Sequence, residues 1–405
     1  MHHHSDAKSV VRAATPDQPV ILNRPHAAAR AARFFVEKFA GRSLYAVKAN
    51  PSRDLLRVLW GAGVTHYDVA SITEVRLVRA TLPDAVLCFM HPVKTPNAIR
   101  EAYHVHGVRV FSLDSLEELE KIVDATSADD GTAAGDLSLC VRLRVSSEYS
   151  ELSLAAKFGV DLADAKELLQ ATRQVADSLG ICFHVGSQAM SPHAYVQALE
   201  RVRAAIVDAS VLVDIVDVGG GFPSIYPGLE PPPLEDYFAL IERVYESLPI
   251  SYSAELWCEP GRALCAEYNS LIVRVEKRRG GELYINDGAY GALFDAAHVG
   301  WRFPVRLLRP KPVNDAEPAV LEPFSFYGPT CDDLDHMKGP FELPADVSAG
   351  DYIEIGMLGA YGAAMKTAFN GFHGTEVVEV KDEPMASQYR GDRVVRVPDN
   401  VVRLR

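Results

Sequence analysis

The sequence predicts an α/β chain: a (β/α)8 TIM-type barrel followed by a C-terminal antiparallel β domain. Three observations lead there. Eight short apolar runs recur at the spacing of one helix plus one strand, glycine-rich loops follow the seventh and eighth runs, and after about residue 268 the intervening helices disappear. The eight runs are Leu44–Lys48, Thr65–Val69, Val86–Met90, Val108–Phe111, Leu139–Val145, Ile181–Val185, Ile215–Val218 and Leu256–Glu259. Helical stretches between them include Arg53–Gly61, Ile72–Arg79, Ser115–Asp124 and Asp161–Leu179.

The period alone also fits a doubly wound open sheet. The glycines favour the barrel. Gly219-Gly220-Gly221 follows the seventh run and Gly261-Arg262 the eighth, the two loops that often hold a phosphate in a barrel. Glycine lets backbone N–H groups come close to such an anion. An isolated triplet would read as a tight turn.

Beyond the barrel, Leu271–Val275, Leu283–Ile285, Tyr352–Ile355, Val377–Val380 and Val394–Val397 read as strands, and Pro310–Pro323 as a loop. The expected division is an N-terminal segment 1–22 joining the β domain, a barrel over 23–268, and the β domain over 269–405. The opening His2-His3-His4 run is set aside from the fold.

With 405 residues, 48% hydrophobic and 23% charged, the chain reads as a soluble globular protein with a large core. Its formal net charge of −13 argues against nucleic acid or an anionic membrane as partner. No apolar run is long enough to span a bilayer. The six cysteines lack metal-type spacing, so no metal is expected, and most lie in apolar runs, which points to a reducing cytoplasm.

Several segments carry chemistry. The first run delivers a single lysine, in Tyr45-Ala46-Val47-Lys48-Ala49-Asn50; alone, such a lysine reads as a solvated charge. His184-Val185-Gly186-Ser187, Gly219-Gly220-Gly221-Phe222-Pro223, Glu259-Pro260-Gly261-Arg262 and Gly328-Pro329-Thr330-Cys331-Asp332 follow in that order, with Asn286-Asp287-Gly288-Ala289-Tyr290-Gly291, Gly359-Ala360-Tyr361 and Phe369-Asn370-Gly371-Phe372 beside the last. Taken together across residues 40 to 373, this set resembles the fold-type III pyridoxal-phosphate decarboxylases, in the ornithine/lysine branch, whose barrel is alanine-racemase-like.

The resemblance implies a role for each residue. Lys48 would carry pyridoxal 5'-phosphate, Glu259 would pair with its ring nitrogen, and His184 would stack on the ring. Arg262, Gly219, Gly220, Gly221, Gly261, Ser187 and Tyr361 would hold the phosphate. Asp68, Glu74, Arg144 and Lys157 would form a charge network near Lys48. Cys331 would return a proton to the substrate, and Asp332, Asp295 and Tyr290 would bind a distal ammonium. Two departures from the family pattern stand at Phe294, before Asp295, and at Gly362, after Tyr361.

The implied reaction is decarboxylation of L-ornithine to putrescine and CO2 by a homodimer with shared active sites. Lysine, one methylene longer, is the alternative substrate, as is a related diamino acid or secondary-metabolite precursor. Diaminopimelate, ending in a carboxylate, would want arginine where Asp332 stands. A regulatory homologue without activity is a different class, and it would be expected to lack Lys48, Cys331 or one of the aspartates.

Overall fold

A computed structural model describes residues 3–145, 148–311, 319–389 and 401–402. The chain divides into a barrel unit, residues 32–223 with 231–263, and a sheet unit, residues 1–31, 224–230 and 264–405.

The barrel unit closes eight parallel strands: β1 (Arg42–Ala46), β2 (His66–Val69), β3 (Val86–Phe89), β4 (Val110–Leu113), β5 (Ser138–Arg142), β6 (Ser178–Cys182), β7 (Ile215–Asp217) and β8 (Glu255–Cys258). Closure is the pairing of β8 with β1, Trp257 opposite Arg42 and Cys258 opposite Ser43. Leu44, Cys88, Met90, Val110, Cys140, Cys182, Ile215 and Trp257 form a core cluster. The thiols serve there as small apolar fillers.

Helices start where small polar residues cap them. Ser52, Ser71, Thr95 and Ser115 each accept a backbone N–H from the first turn of the helix that follows β1, β2, β3 or β4. The helix expected over Asp161–Leu179 is shorter, Ala165–Val175. It stops because Asp177 and Ser178 turn their N–H groups to the carbonyl of Leu137 and enter β6. Likewise β1 ends at Ala46, and Lys48 sits in a 3-10 turn, Val47–Ala49.

Phe222 anchors the glycine triplet. Its ring is 2% exposed, stacks on Tyr195 with centroids 5.0 Å apart and meets Phe35 and Phe238 edge-on at 5.4 and 5.9 Å. A packed aromatic cluster thus fixes the loop that leaves β7.

The sheet unit is mixed, where a mostly antiparallel domain was expected. Its strands are Val20–Asn23, then β9 (Asn269–Arg279), β10 (Glu282–Ile285), β11 (Val305–Leu308), β12 (Ala319–Tyr327), β13 (His336–Pro344), β14 (Tyr352–Ile355) and β15 (Glu376–Val380), with two-residue strands at His3–His4 and Val401–Val402. Val20–Asn23 lies antiparallel to β9 and parallel to β15. β10 runs parallel to β12, which is antiparallel to β13. β12 begins inside the expected Pro310–Pro323 loop, with Pro323 opposite Glu342. The expected strand Val394–Val397 lies outside the described residues.

Helix Ala7–Ala14 buries Ala7, Val10 and Val11 with Val20, Leu22, Ile272, Leu308, Tyr352 and Val380. Beside them, with Glu354 opposite Ile272 in the register, Arg24 and Glu354, 1% and 0% exposed, pair at 2.9 Å. Arg306 also pairs with Glu354, and Ser270 donates to it.

Candidate active site

The ends of the barrel strands gather the ionisable groups. Lys48 Nζ lies 3.0 Å from Asp68 Oδ2, with Asp68 2% and Lys48 41% exposed. Glu74 caps the loop between them and helix Ile72–Thr81 by accepting the Ala70 N–H at 2.6 Å. Burial raises the Glu74 carboxyl, and the nearby Asp68 charge adds to this while Lys48 opposes it.

His184 follows β6. Its Nδ1 accepts the Gly186 N–H at 3.1 Å, which leaves the proton on Nε2. Burial, then the charges of Arg142 and Lys48, push its pKa well below the ordinary value. The ring is therefore a neutral aromatic plate. It lies against Gly220, where a Cβ would come within 2.9 Å of Nε2.

The three carbonyls of the glycine loop all point into protein. Gly219 O accepts from the Glu259 N–H at 2.8 Å, Gly220 O from the Tyr195 hydroxyl at 3.0 Å and Gly221 O from the Ala189 N–H at 2.9 Å. The backbone adopts φ of +68° at Gly219 and +101° at Gly221, which side chains rarely tolerate. Among the described residues no acceptor takes the Gly220 or Gly221 N–H.

Two residues upstream of Ala189, Ser187 Oγ lies 3.5 Å from Arg262 Nη2. Ser187 is held by an antiparallel pairing with Leu152. Gly261 abuts Ala46 and Ala49 beside Lys48. A guanidinium, a hydroxyl and two amides therefore cluster as an anion cradle at the β6, β7 and β8 ends.

Glu259 follows β8 and is 7% exposed. Burial, then Asp217 and Asp68, raise its carboxyl well above the usual range, against Lys48 and Arg142. Arg144 pairs with Asp161 at 3.1 Å, while the charge felt by His184 and Glu259 is that of Arg142. Lys157 lies over the Phe158 ring. Arg142 and Asp217 were not singled out from the sequence; their mark is a charge inside an apolar run.

The sheet unit holds the other candidates. Asp335, 1% exposed, organises the loop after β12. It accepts the Ala289 N–H at 2.7 Å and the Thr330 N–H and hydroxyl at 3.1 and 2.7 Å. The loop presents Cys331 in the open, its Sγ and N–H both directed at Asn370 Oδ1, 3.3 and 3.2 Å away. Asp332 accepts the Tyr290 hydroxyl and the Leu334 N–H. These two bonds hold its carboxyl below the usual range, so it is ionised at neutral pH. Tyr284, Tyr327, Thr330, Cys331, Asp332 and Phe372 help to line a cleft of about 630 Å³.

Asp295 lines no part of that cleft; it is buried and opens a π-helical turn, Asp295–Val299. Tyr361 is half-buried with φ +59°, a conformation strained for a tyrosine.

The pyridoxal binding domain of the pyridoxal-dependent decarboxylases matches residues 26–266, and their C-terminal sheet domain matches residues 175–359. The chain belongs to this family, whose cofactor is pyridoxal phosphate. It is 29% identical over 351 residues to a lysine/ornithine decarboxylase of Selenomonas ruminantium, covering 84% of each. It is also 29% identical to the ornithine decarboxylase of Mus musculus (84% of this chain, 76% of the relative) and to an antizyme inhibitor 2 of Xenopus laevis (83% and 75%). The structure of an arginine decarboxylase of Paramecium bursaria Chlorella virus bound to agmatine superimposes with a TM-score of 0.79 at 26% identity, covering 92% of this chain and 98% of that one.

The residues present fit the family's cofactor. The cradle suits its phosphate, the neutral His184 plate suits its ring, and Glu259, a buried acid of raised proton affinity, suits a ring nitrogen that shares a proton.

Proposed function

We propose that the chain decarboxylates L-ornithine to putrescine and CO2, with L-lysine as the second substrate. The observation that carries this is the ionised Asp332, oriented by Tyr290 beside the open thiol of Cys331. A carboxylate held charged in a cleft suits a terminal ammonium. Relatives named for ornithine and for lysine support the pair of substrates.

When bound, pyridoxal phosphate supplies the electron sink that lets an α-amino acid lose CO2. Lys48 is the amine that carries it, and Asp68 orients that amine. Arg262, Ser187, Tyr361 and the amides of Gly220 and Gly221 hold the phosphate, with Gly261 bringing the β8 loop against the Lys48 turn. Gly219 was expected to add a third amide, but its N–H is given to Asp217 and it serves as the turn that presents the other two. Arg142 supplies positive charge near the ring site, and Arg144 ties the segment after β5 to Asp161. Glu259 would face the ring nitrogen and His184 the ring. Cys331 delivers a proton to the substrate Cα after CO2 departs, and Asp332, Tyr290 and Asp295 select the distal group.

Because Cys331 and Lys48 lie in different units, the reading includes a homodimer whose two sites each draw on both subunits. It also includes a cytoplasmic location, consistent with the free thiols of Cys88, Cys140, Cys182, Cys258, Cys265 and Cys331. Among the described residues no helix is long and apolar enough to cross a membrane.

The test is CO2 release by the purified, cofactor-loaded chain from ornithine, lysine, arginine and diaminopimelate. Ornithine should show the highest kcat/KM. No release from ornithine or lysine overturns the reading.

A further inference from the structure

Asp217 is a fully buried carboxylate that none of the assigned roles uses. It ends β7, opposite Trp257 of β8, and is 0% exposed. Its Oδ1 accepts the Gly219 N–H at 2.8 Å. Gly219 in turn accepts the Glu259 N–H at 2.8 Å, so one glycine links the two acids. Asp217 Oδ2 is buried, and no N–H or O–H of another residue type reaches it among the described residues. Parallel register puts Glu259, two residues beyond Trp257, on the face of the barrel wall that Asp217 shares, and the Glu259 carboxyl is the side-chain group that acts on Asp217. Two acids cannot face each other in the dark interior of a barrel with neither carrying a proton.

We infer that Asp217 is a positioning residue for Glu259, holding it through one proton shared between Asp217 Oδ2 and the Glu259 carboxyl. This rests on the reading of Glu259 as the group that faces the ring nitrogen. The shared proton fixes the rotamer of Glu259. The second carboxylate behind it makes Glu259 a stronger proton acceptor toward the ring than a lone glutamate would be.

The other groups facing the pair are consistent with this. Asp68 adds negative charge, Lys48 and Arg142 add positive charge, and the thiols of Cys88, Cys140, Cys182 and Cys258 stay neutral, none of them reaching Oδ2. Burial raises both carboxyls, as a proton-sharing pair requires. Such a pair keeps a proton that the unfolded chain would release, so it favours the folded state increasingly as pH falls from the neutral range toward the ordinary carboxylate range.

The experiment compares the full chain, with cofactor removed, against Asp217→Asn, Glu259→Gln and the double variant, by thermal unfolding between about pH 8 and about pH 5.5. The amide of either single variant supplies the missing donor, so the proton is no longer needed. Each single variant should lose the same part of the rise in Tm on acidification, roughly 2–4 °C, and the double variant should lose no more. An Asp217→Asn profile parallel to that of the unaltered chain overturns the proposal. If Asp217→Asn fails to fold, Glu259→Gln alone decides by the same criterion.

A second readout separates this from the assignment it rests on. In the loaded enzymes, the pH at which the cofactor's visible absorbance changes should move down by about one unit in Asp217→Asn. If the unfolding profiles behave as expected but Glu259→Gln leaves the absorbance unchanged, the shared proton stands and the ring-nitrogen role of Glu259 falls.

Discussion

Asp68 meets Lys48 at 3.0 Å from the end of the neighbouring strand, and only the lysine is open to solvent. β1 and β2 pair with Ala46 opposite Asp68. The strand register therefore brings a buried anion to the amine that the proposed function assigns to the cofactor.

Lys48→Ala should abolish both the visible absorbance of bound cofactor and decarboxylation. Asp68→Asn should keep the amine but lose its orienting charge, lowering kcat/KM by about tenfold, the scale of a charged hydrogen bond. Absorbance spectra and CO2 release check both. A Lys48→Ala protein with an unchanged spectrum would rule out the covalent role.

Replacing Asp332 with Asn preserves size and removes charge. Ornithine turnover should fall by at least about tenfold while the cofactor spectrum is retained. Tyr290→Phe, which removes one hydrogen bond and leaves the charge, should have the smaller effect. Equal kinetics of Asp332→Asn, Asp295→Asn and the unaltered enzyme on both ornithine and lysine would count against a terminal-ammonium substrate.

Shared sites can be tested by mixing. Lys48→Ala and Cys331→Ala subunits are each expected to be inactive. A mixture that has exchanged subunits should regain activity, because one of its two sites receives both intact halves. No recovery after verified exchange refutes the composite site.

Asp335 carries the loop of Cys331 and Asp332 on a buried carboxylate with three donors. Asp335→Ala should strand those donors and destabilise the chain by about 2–4 kcal/mol. The cofactor spectrum should remain while decarboxylation is lost. Urea unfolding and spectra check the pair of outcomes.

Acid sensitivity should be concentrated at Glu354. Burial pushes its carboxyl up, but Arg24 and Arg306 more than offset this and hold it below the usual range. Its contribution is thus present above the ordinary carboxylate range and lost as pH falls through the lowered folded value. Thermal unfolding between about pH 7 and about pH 3 should show a steep acid limb that Glu354→Gln flattens.

The barrel was legible in the sequence because its strands are short apolar runs separated by helices with polar caps. Helix Arg53–Gly61 and strand Tyr352–Ile355 fall where the pattern puts them. The sheet unit was less legible, since parallel partners such as β10 and β12 are set by long-range register. Within the site, motif residues could be found but their supports could not. Leu143 bridges to Val160 just after β5 ends, and Arg144 turns to Asp161, while Arg142 is the cation whose charge reaches His184 and Glu259. Asp335 draws a donor from Ala289, far away in sequence, so its neighbours alone gave no sign of it.

The placement of Val20–Asn23 between β9 and β15 has a consequence during synthesis. All eight barrel strands have been made by residue 258, so the barrel can close on a nascent chain still attached to the ribosome. The early strand must instead wait for Glu376–Val380, more than three hundred residues later, before its second edge is covered. Until then an unpaired strand edge is exposed to other chains. Truncated or stalled products would therefore carry a finished barrel and an open sheet, the form on which a chaperone or protease would act.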